Sequence, residues 1–366
     1  MAKARRLVPY LLALLLVVLL LWQIDPTTVW RLLSNIDPYW LLIGFGFYVL
    51  TNILRAFRFS VLMDLDGYDD GTGSPLSESQ KEHASQSWYS PLRILPEMFA
   101  LSLFNNVLPS RSGELSFPYF MVRRHAVPVG ESSAALIVAR VFDYLAVAVL
   151  FVGFALLNLN KLSERAESVV SIVAALLLVS LVILAAMPWL GRQIMRFAQG
   201  LMQKLGVEKL RWVKYLLRAG WRAVEAFEEM RSFRTYGLTF GWSLLTWLAT
   251  FAWFAAFMQA IGLPQAYPLV IVGGTFAMLA KAIPFVTVGG FGAHEAGWAL
   301  GFSLVGMETA LAIASGFAVN ILTLLASLVF GGASLLWMRF HDRRASESSQ
   351  KKMCLREPAM SSEVDA

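Results

Sequence analysis

The residues best suited to chemistry in this chain are charged and polar groups set inside apolar runs. Arg140 and Asp143 fall in the first half of the apolar stretch Ser132 to Leu159. A charge at the centre of a membrane helix costs roughly 2.5–3.5 kcal/mol on insertion scales, so such a pair is kept either for packing or for function. The i,i+3 spacing puts both groups on one helical face, where they can pair. Asn105, Asn106, Pro109, Arg111, Gly113 and Glu114 interrupt an apolar stretch over 92–124, and Lys281, Pro284, Gly290, Gly292 and Glu295 interrupt another over 268–305. Arginine holds phosphate by paired hydrogen bonds. Arg111, at a glycine-flanked turn beside free helix-end N–H groups, suits a lipid phosphate. Lys281 either binds an anion or reaches to an interface. His294 beside Glu295 offers an acid and a base, but HExxH is absent and no catalytic residue is assigned.

These residues need a membrane scaffold to position them. The chain has 366 residues, 57% apolar and 15% charged, with a mean hydropathy of +0.59. Soluble domains are roughly a quarter charged. The net charge of +6 is read as basic cytoplasmic loops, not as nucleic-acid binding. One cysteine, Cys354, excludes a disulfide framework and a cysteine-based metal site. The four scattered histidines give no metal centre, so no metal and no cofactor is expected. The acidic run Asp64 to Asp70 lacks the glycine and terminal glutamate of a calcium loop, and no Walker A motif occurs.

Apolar runs at Leu7 to Ile24, Tyr39 to Phe57, Ser132 to Leu159, Val169 to Trp189, Tyr236 to Ile261 and Glu308 to Trp337 are read as spans. Lys and Arg cluster at the N-terminus, at Arg55 and Arg58, at Arg123 and Arg124, over 191–234 and after residue 338. The positive-inside rule puts all of these, and both termini, in the cytoplasm. Residues 64–91 read as a polar cytoplasmic loop. Residues 191–234 read as a basic amphipathic segment, lying on an anionic leaflet or packed on the spans, and 341–366 as a disordered tail.

The two interrupted stretches are too short on each side of the break to cross a bilayer as single helices. Parity of the flanking charges allows either two short crossings or one re-entrant hairpin for each, and the short halves favour hairpins, whose irregular tips must line protein or water. The stretches also resemble each other. Glu114 precedes Arg140 by 26 positions and Glu295 precedes Asn320 by 25; Arg140 is followed three residues on by Asp143, and Asn320 by Thr323. The expectation is an all-α polytopic membrane protein with about six full spans, two broken or re-entrant helical hairpins and an inverted repeat.

Asn105-Asn106-x-Leu108-Pro109-x-Arg111-x-Gly113-Glu114, then Arg140-x-x-Asp143, then Pro284-x4-Gly289-Gly290-x-Gly292-x-x-Glu295 resemble the lysylphosphatidylglycerol synthase transmembrane (flippase-like) family. The resemblance covers about residues 5–340. Ala139 stands where members often carry Glu, and Asn320 where they often carry Arg; residues 64–91 look like an insertion. The resemblance implies a domain over 1–340 that binds and moves phospholipid or polyprenyl- or otherwise lipid-linked headgroups across a bacterial cytoplasmic membrane. The soluble aminoacyl-transferase domain of bifunctional members has no counterpart in the sequence, so translocation or lipid binding is expected, not lysyl transfer. Arg111, Arg140 and Lys281 would contact phosphate. Glu114, Asp143 and Glu295 would hold those cations or meet an amino or sugar headgroup. Asn105 and Asn106 would line the path, and Gly113, Gly290 and Gly292 would let broken helices close up. The rival expectations are a membrane-embedded lipid-modifying transferase, and a membrane partner that recruits a soluble cytoplasmic enzyme through 64–91 or 191–234.

Overall fold

The computed structural model describes residues 26–63, 90–108, 113–125, 127, 129–158, 164–204, 213, 214, 217, 221, 233–282 and 291–360. The span read at Leu7 to Ile24, the loop 64–89, most of 205–232 and the last six residues lie outside them, as do Pro109, Arg111, Pro284 and Gly290. Every regular element among the described residues is helical. In chain order they are α1 (Pro26–Ser34), α2 (Pro38–Met63), α3 (Ser90–Arg93), α4 (Leu95–Val107), α5 (Ser116–His125), α6 (Val129–Asn158), α7 (Glu164–Lys204), α8 (Phe233–Ala260), α9 (Tyr267–Ala282), α10 (Ala293–Leu304) and α11 (Thr309–Met360).

Four of the described helices, α2, α6, α8 and α11, are long and apolar enough to cross a membrane. Local signals fix their starts. Pro38 supplies a preset φ at the first position of α2, and Asp37 accepts the Tyr39 N–H at 2.9 Å. The broken stretches are also visible. α4 has 13 residues and α5 has 10; α9 has 16 and α10 has 12. At 1.5 Å per residue none exceeds about 24 Å, short of the roughly 30 Å hydrocarbon core.

α8 lies along α2, α9 pairs with α10, and α11 packs on both α4 and α10, while α6 touches α7, α8 and α9. The largest apolar cluster joins α2, α8, α9, α10 and α11 through buried Tyr48, Phe251, Phe254, Phe257, Trp298 and Phe302. Trp298 and Phe302 stack at 4.4 Å, a separation at which aromatic pairs add to simple area burial. Glycine permits the closest approach. A Cβ on Gly301 would run into the carbonyl of Gly273, and one on Gly297 would lie 2.5 Å from the Phe276 carbonyl oxygen. The α9–α10 pair is thus backbone against backbone, a small-residue contact of the kind membrane helices use in place of hydrophobic driving force.

Three boundaries differ from the sequence reading. α2 continues six residues past Phe57, because Phe59 and Met63 find a buried cluster with Phe117 and Met121. The span read at Val169 to Trp189 is part of a single 41-residue helix, α7, which runs on to Lys204. Met195 of that continuation packs with Val138, Phe142 and Leu145 of α6, as do Leu217 and Trp221. Past residue 341, where the sequence reads as a tail, α11 continues without a break to Met360. Its Ala, Glu, Gln, Lys, Met and Arg content is helix-favouring.

Candidate functional site

Gly113 sets the position of Glu114. A Cβ there would collide with the backbone of Phe104, so the turn leading into α5 rests directly on the end of α4. Ser116 Oγ donates to the Gly113 carbonyl at 2.6 Å and closes that turn. Glu114, held there, meets Arg140 of α6 with Oε1 2.5 Å from Nη2. The two interrupting groups of the sequence reading, one on a broken hairpin and one inside a span, are therefore in contact.

The matching pair at the other broken stretch is also in contact. Gly292 adopts φ +91°, a value a side chain would strain, and precedes the first turn of α10. The Gly292 N–H donates to Glu295 Oε2 at 2.6 Å, and Asn320 Nδ2 of α11 donates to Glu295 Oε1 at 2.8 Å. Glu114 to Arg140 and Glu295 to Asn320 are equivalent bridges, each from a broken hairpin to the long helix that follows it. The first is ionic and partly open, with side chains 22% and 29% exposed. The second joins a carboxylate to an amide and is buried. His294, adjacent in sequence, does not join it. Both of its ring nitrogens are buried without a hydrogen-bond partner, and its ring lies 5.3 Å from that of Trp298.

The sequence reading paired Asp143 with Arg140. The structure gives Asp143 a closer partner. Arg58 Nη1 lies 2.5 Å from Asp143 Oδ1 and Nη2 lies 3.5 Å from Oδ2, while Arg140 Nη1 stands off at 3.8 Å from Oδ2. Trp247 Nε1 donates to Asp143 Oδ1 at 2.8 Å, and Arg58 Nη1 also donates to Ser243 Oγ at 3.1 Å. One carboxylate thus ties α2, α6 and α8 together. Arg58 was read as a cytoplasmic flank of the second span; it is buried instead, at 2% exposure. Arg55, one turn earlier, donates to Ser102 Oγ at 3.2 Å, and among the described residues no carboxylate lies within ion-pair distance of it. The signal for both was available in their i,i+3 spacing, the same spacing that singled out Arg140 and Asp143.

These groups surround a cavity of about 150 Å³ between α2, α4, α6, α8, α9 and α11. Among the described residues its charged lining is Arg55, Arg58, Arg140, Lys281 and one carboxylate, Asp143. Its other polar lining includes Ser102, Asn105, Asn106, Thr250 and Thr323. Asn106 Nδ2 donates to Ser327 Oγ at 2.6 Å, and Ser327 also accepts from the Tyr48 hydroxyl at 3.2 Å. Asn105 Oδ1 is buried with no hydrogen-bond partner. Tyr48, Trp247, Trp253 and Phe254 provide aromatic wall. Even after Asp143 is counted, and Glu114 against Arg140, cationic groups outnumber anionic ones around this space among the described residues. A cation-rich cavity between packed helices favours an anion, because charge-assisted contacts strengthen away from bulk water.

Of the residues singled out from sequence, Asn105, Asn106, Arg140, Asp143 and Lys281 line the cavity, and Glu114 borders it through Arg140. Gly113 and Gly292 shape the two hairpins, and Glu295 sits in the second bridge. Among the described residues no group of three or more His, Cys, Asp or Glu is placed to hold a metal ion.

Comparison with curated proteins and with solved structures gave no match. A family model does match, over residues 6–331, and it is the one for the lysylphosphatidylglycerol synthase transmembrane region. That extent takes in both broken hairpins, both bridges and the cavity, and with the apolar helices it identifies the chain as a multi-pass, lipid-related membrane protein that belongs to the lysylphosphatidylglycerol synthase transmembrane-region family.

Proposed function

We propose that this protein binds the anionic headgroup of a phospholipid or polyprenyl-linked lipid in the central cavity and translocates it across the bacterial cytoplasmic membrane, with both termini cytoplasmic. The observation that carries this reading is the charge count of the cavity: among the described residues, four cationic side chains and one carboxylate at a place where four long helices and two broken hairpins meet. Arg140 and Arg55 contact phosphate. Asp143 holds Arg58 and steadies Arg140, so that the cations stay charged and aimed while the cavity is empty. Asn105 and Asn106 offer amide groups along the path.

The volume supports a headgroup over a whole lipid. At about 150 Å³ the cavity is smaller than the roughly 300–1,000 Å³ of pockets that engulf a small ligand, which leaves acyl chains in the bilayer. Broken helices supply the polar backbone such a crossing needs without exposing it to hydrocarbon. The reading requires no bond to be made or broken, and so no enzymatic step.

The test is a lipid-scrambling assay in proteoliposomes with Arg140→Ala. Loss of flux with normal folding supports the role of Arg140, and unchanged flux refutes it. Native mass spectrometry of gently extracted protein identifies the lipid.

A further inference from the structure

A second groove lies apart from the central cavity and shares no lining residue with it. It runs between α5 and α11, with a volume of about 450 Å³. Phe120, Leu335 and Met338 form an apolar wall, and Arg123, Arg124 and Arg339 form a basic edge.

The three arginines are not equivalent. Arg124 is committed to structure. Its Nε lies 2.9 Å from Glu97 Oε1, its Nη1 lies 3.0 Å from Asp342 Oδ1, and its guanidinium sits 5.7 Å from the Trp337 ring centre. It engages Asp342, the one carboxylate among the described lining residues, and pins α5 to both α4 and α11. Arg123 and Arg339 are exposed, and among the described residues neither has a carboxylate within ion-pair distance. Arg123 Nη1 donates to the Tyr119 hydroxyl at 2.6 Å, which holds its guanidinium at the groove.

Location decides what these cations meet. The groove lies at the end of the apolar portion of α11, where Leu335, Leu336 and Met338 give way to Arg339 and Asp342. Exposed Tyr119, Val122, Leu336 and Phe340 flank it. A basic rim over an apolar wall, at the depth where a span leaves hydrocarbon, matches a phosphate joined to an acyl chain. A free phosphate would leave the apolar wall unused.

We propose that this groove is a retained binding site for an anionic phospholipid, distinct from the translocation cavity. Arg123 and Arg339 hold the phosphodiester, and the first part of one acyl chain lies on Phe120, Leu335 and Met338. The bound lipid bridges α5 to α11 and so braces the hairpin that carries Glu114. The proposal stands whether or not the central cavity moves lipid.

The experiment is native mass spectrometry of the full chain released from micelles containing phosphatidylglycerol or phosphatidylcholine. Wild type retains one phosphatidylglycerol that the Arg123→Gln/Arg339→Gln variant loses, with apparent affinity at least about tenfold weaker, as expected for losing charge-assisted contacts. Arg123→Lys/Arg339→Lys keeps the charge and keeps the lipid, which separates binding from misfolding. Leu335→Trp fills the apolar wall with all charges intact and also weakens retention. Equal retention of phosphatidylglycerol by wild type and the double Gln variant overturns the proposal, as does equal retention of phosphatidylcholine. Unaltered lipid retention by Leu335→Trp, with displacement by inorganic phosphate, overturns it in favour of a simple phosphate site.

Discussion

Asp143 closes the contact between α2, α6 and α8, and a double-mutant cycle with Arg58 measures how much of the fold rests on it. Breaking a buried ion pair by removing one partner costs about 3–5 kcal/mol, because the other charge is left without compensation. Here the remaining neighbours soften the loss. Arg140 stands 3.8 Å from Asp143 and Ser243 Oγ stands 3.1 Å from Arg58, so the lower end, about 3 kcal/mol, is expected for Asp143→Asn and for Arg58→Met alone. Together the two changes leave no isolated charge between them. The double variant is therefore expected to lose about 3 kcal/mol less than the sum of the singles. Reversible unfolding in mixed micelles, followed by tryptophan fluorescence, reads this directly, since Trp247 donates to the same carboxylate. Additive losses, within about 0.5 kcal/mol, would mean that the pair contributes nothing beyond its separate parts and that the cation-rich cavity is not organised by Asp143.

Gly301→Ala should destabilise by at least about 1–3 kcal/mol, because its methyl would meet the Gly273 carbonyl, whereas Gly153→Ala and Gly241→Ala, which face open space, should be near neutral by the same unfolding measurement. Asn320→Ala leaves Glu295 Oε1 buried without its amide donor and should cost about 1–3 kcal/mol, with Asn320→Gln recovering part of it. Gly113→Ala should push the α5 turn off α4 and abolish any non-additivity between Glu114→Gln and Arg140→Gln in scrambling flux; an unchanged coupling between those two would show that Glu114 is positioned by something else.

Much of this site was legible in the sequence because charge inside an apolar run is expensive and therefore informative. Glu114, Arg140 and Asp143 stood out for that reason, and the pairs whose 26- and 25-residue spacings were read as a repeat are the ones joined in the two bridges. Pairing was less legible. An i,i+3 spacing shows that Arg140 and Asp143 share a helical face, but it carries no information on which distant helix faces them. Asp143 turned to Arg58, 85 positions away. Arg55 and Arg58 were hidden by the rule that reads basic residues near a span end as cytoplasmic flank. That rule counts charges and cannot see that Phe59 and Met63 extend the helix into a buried cluster. The helix at 341–360 is legible in helix propensity and not in hydropathy.

The two hairpin bridges differ in one respect with mechanical meaning. Glu114 and Arg140 are partly exposed, so that latch can release and reset at less expense than a sealed one. Glu295 and Asn320 are sealed from solvent, and parting them would strand a carboxylate in oil. Motion in this protein should therefore be one-sided: the first hairpin swings, while the second serves as the fixed jamb against which it closes.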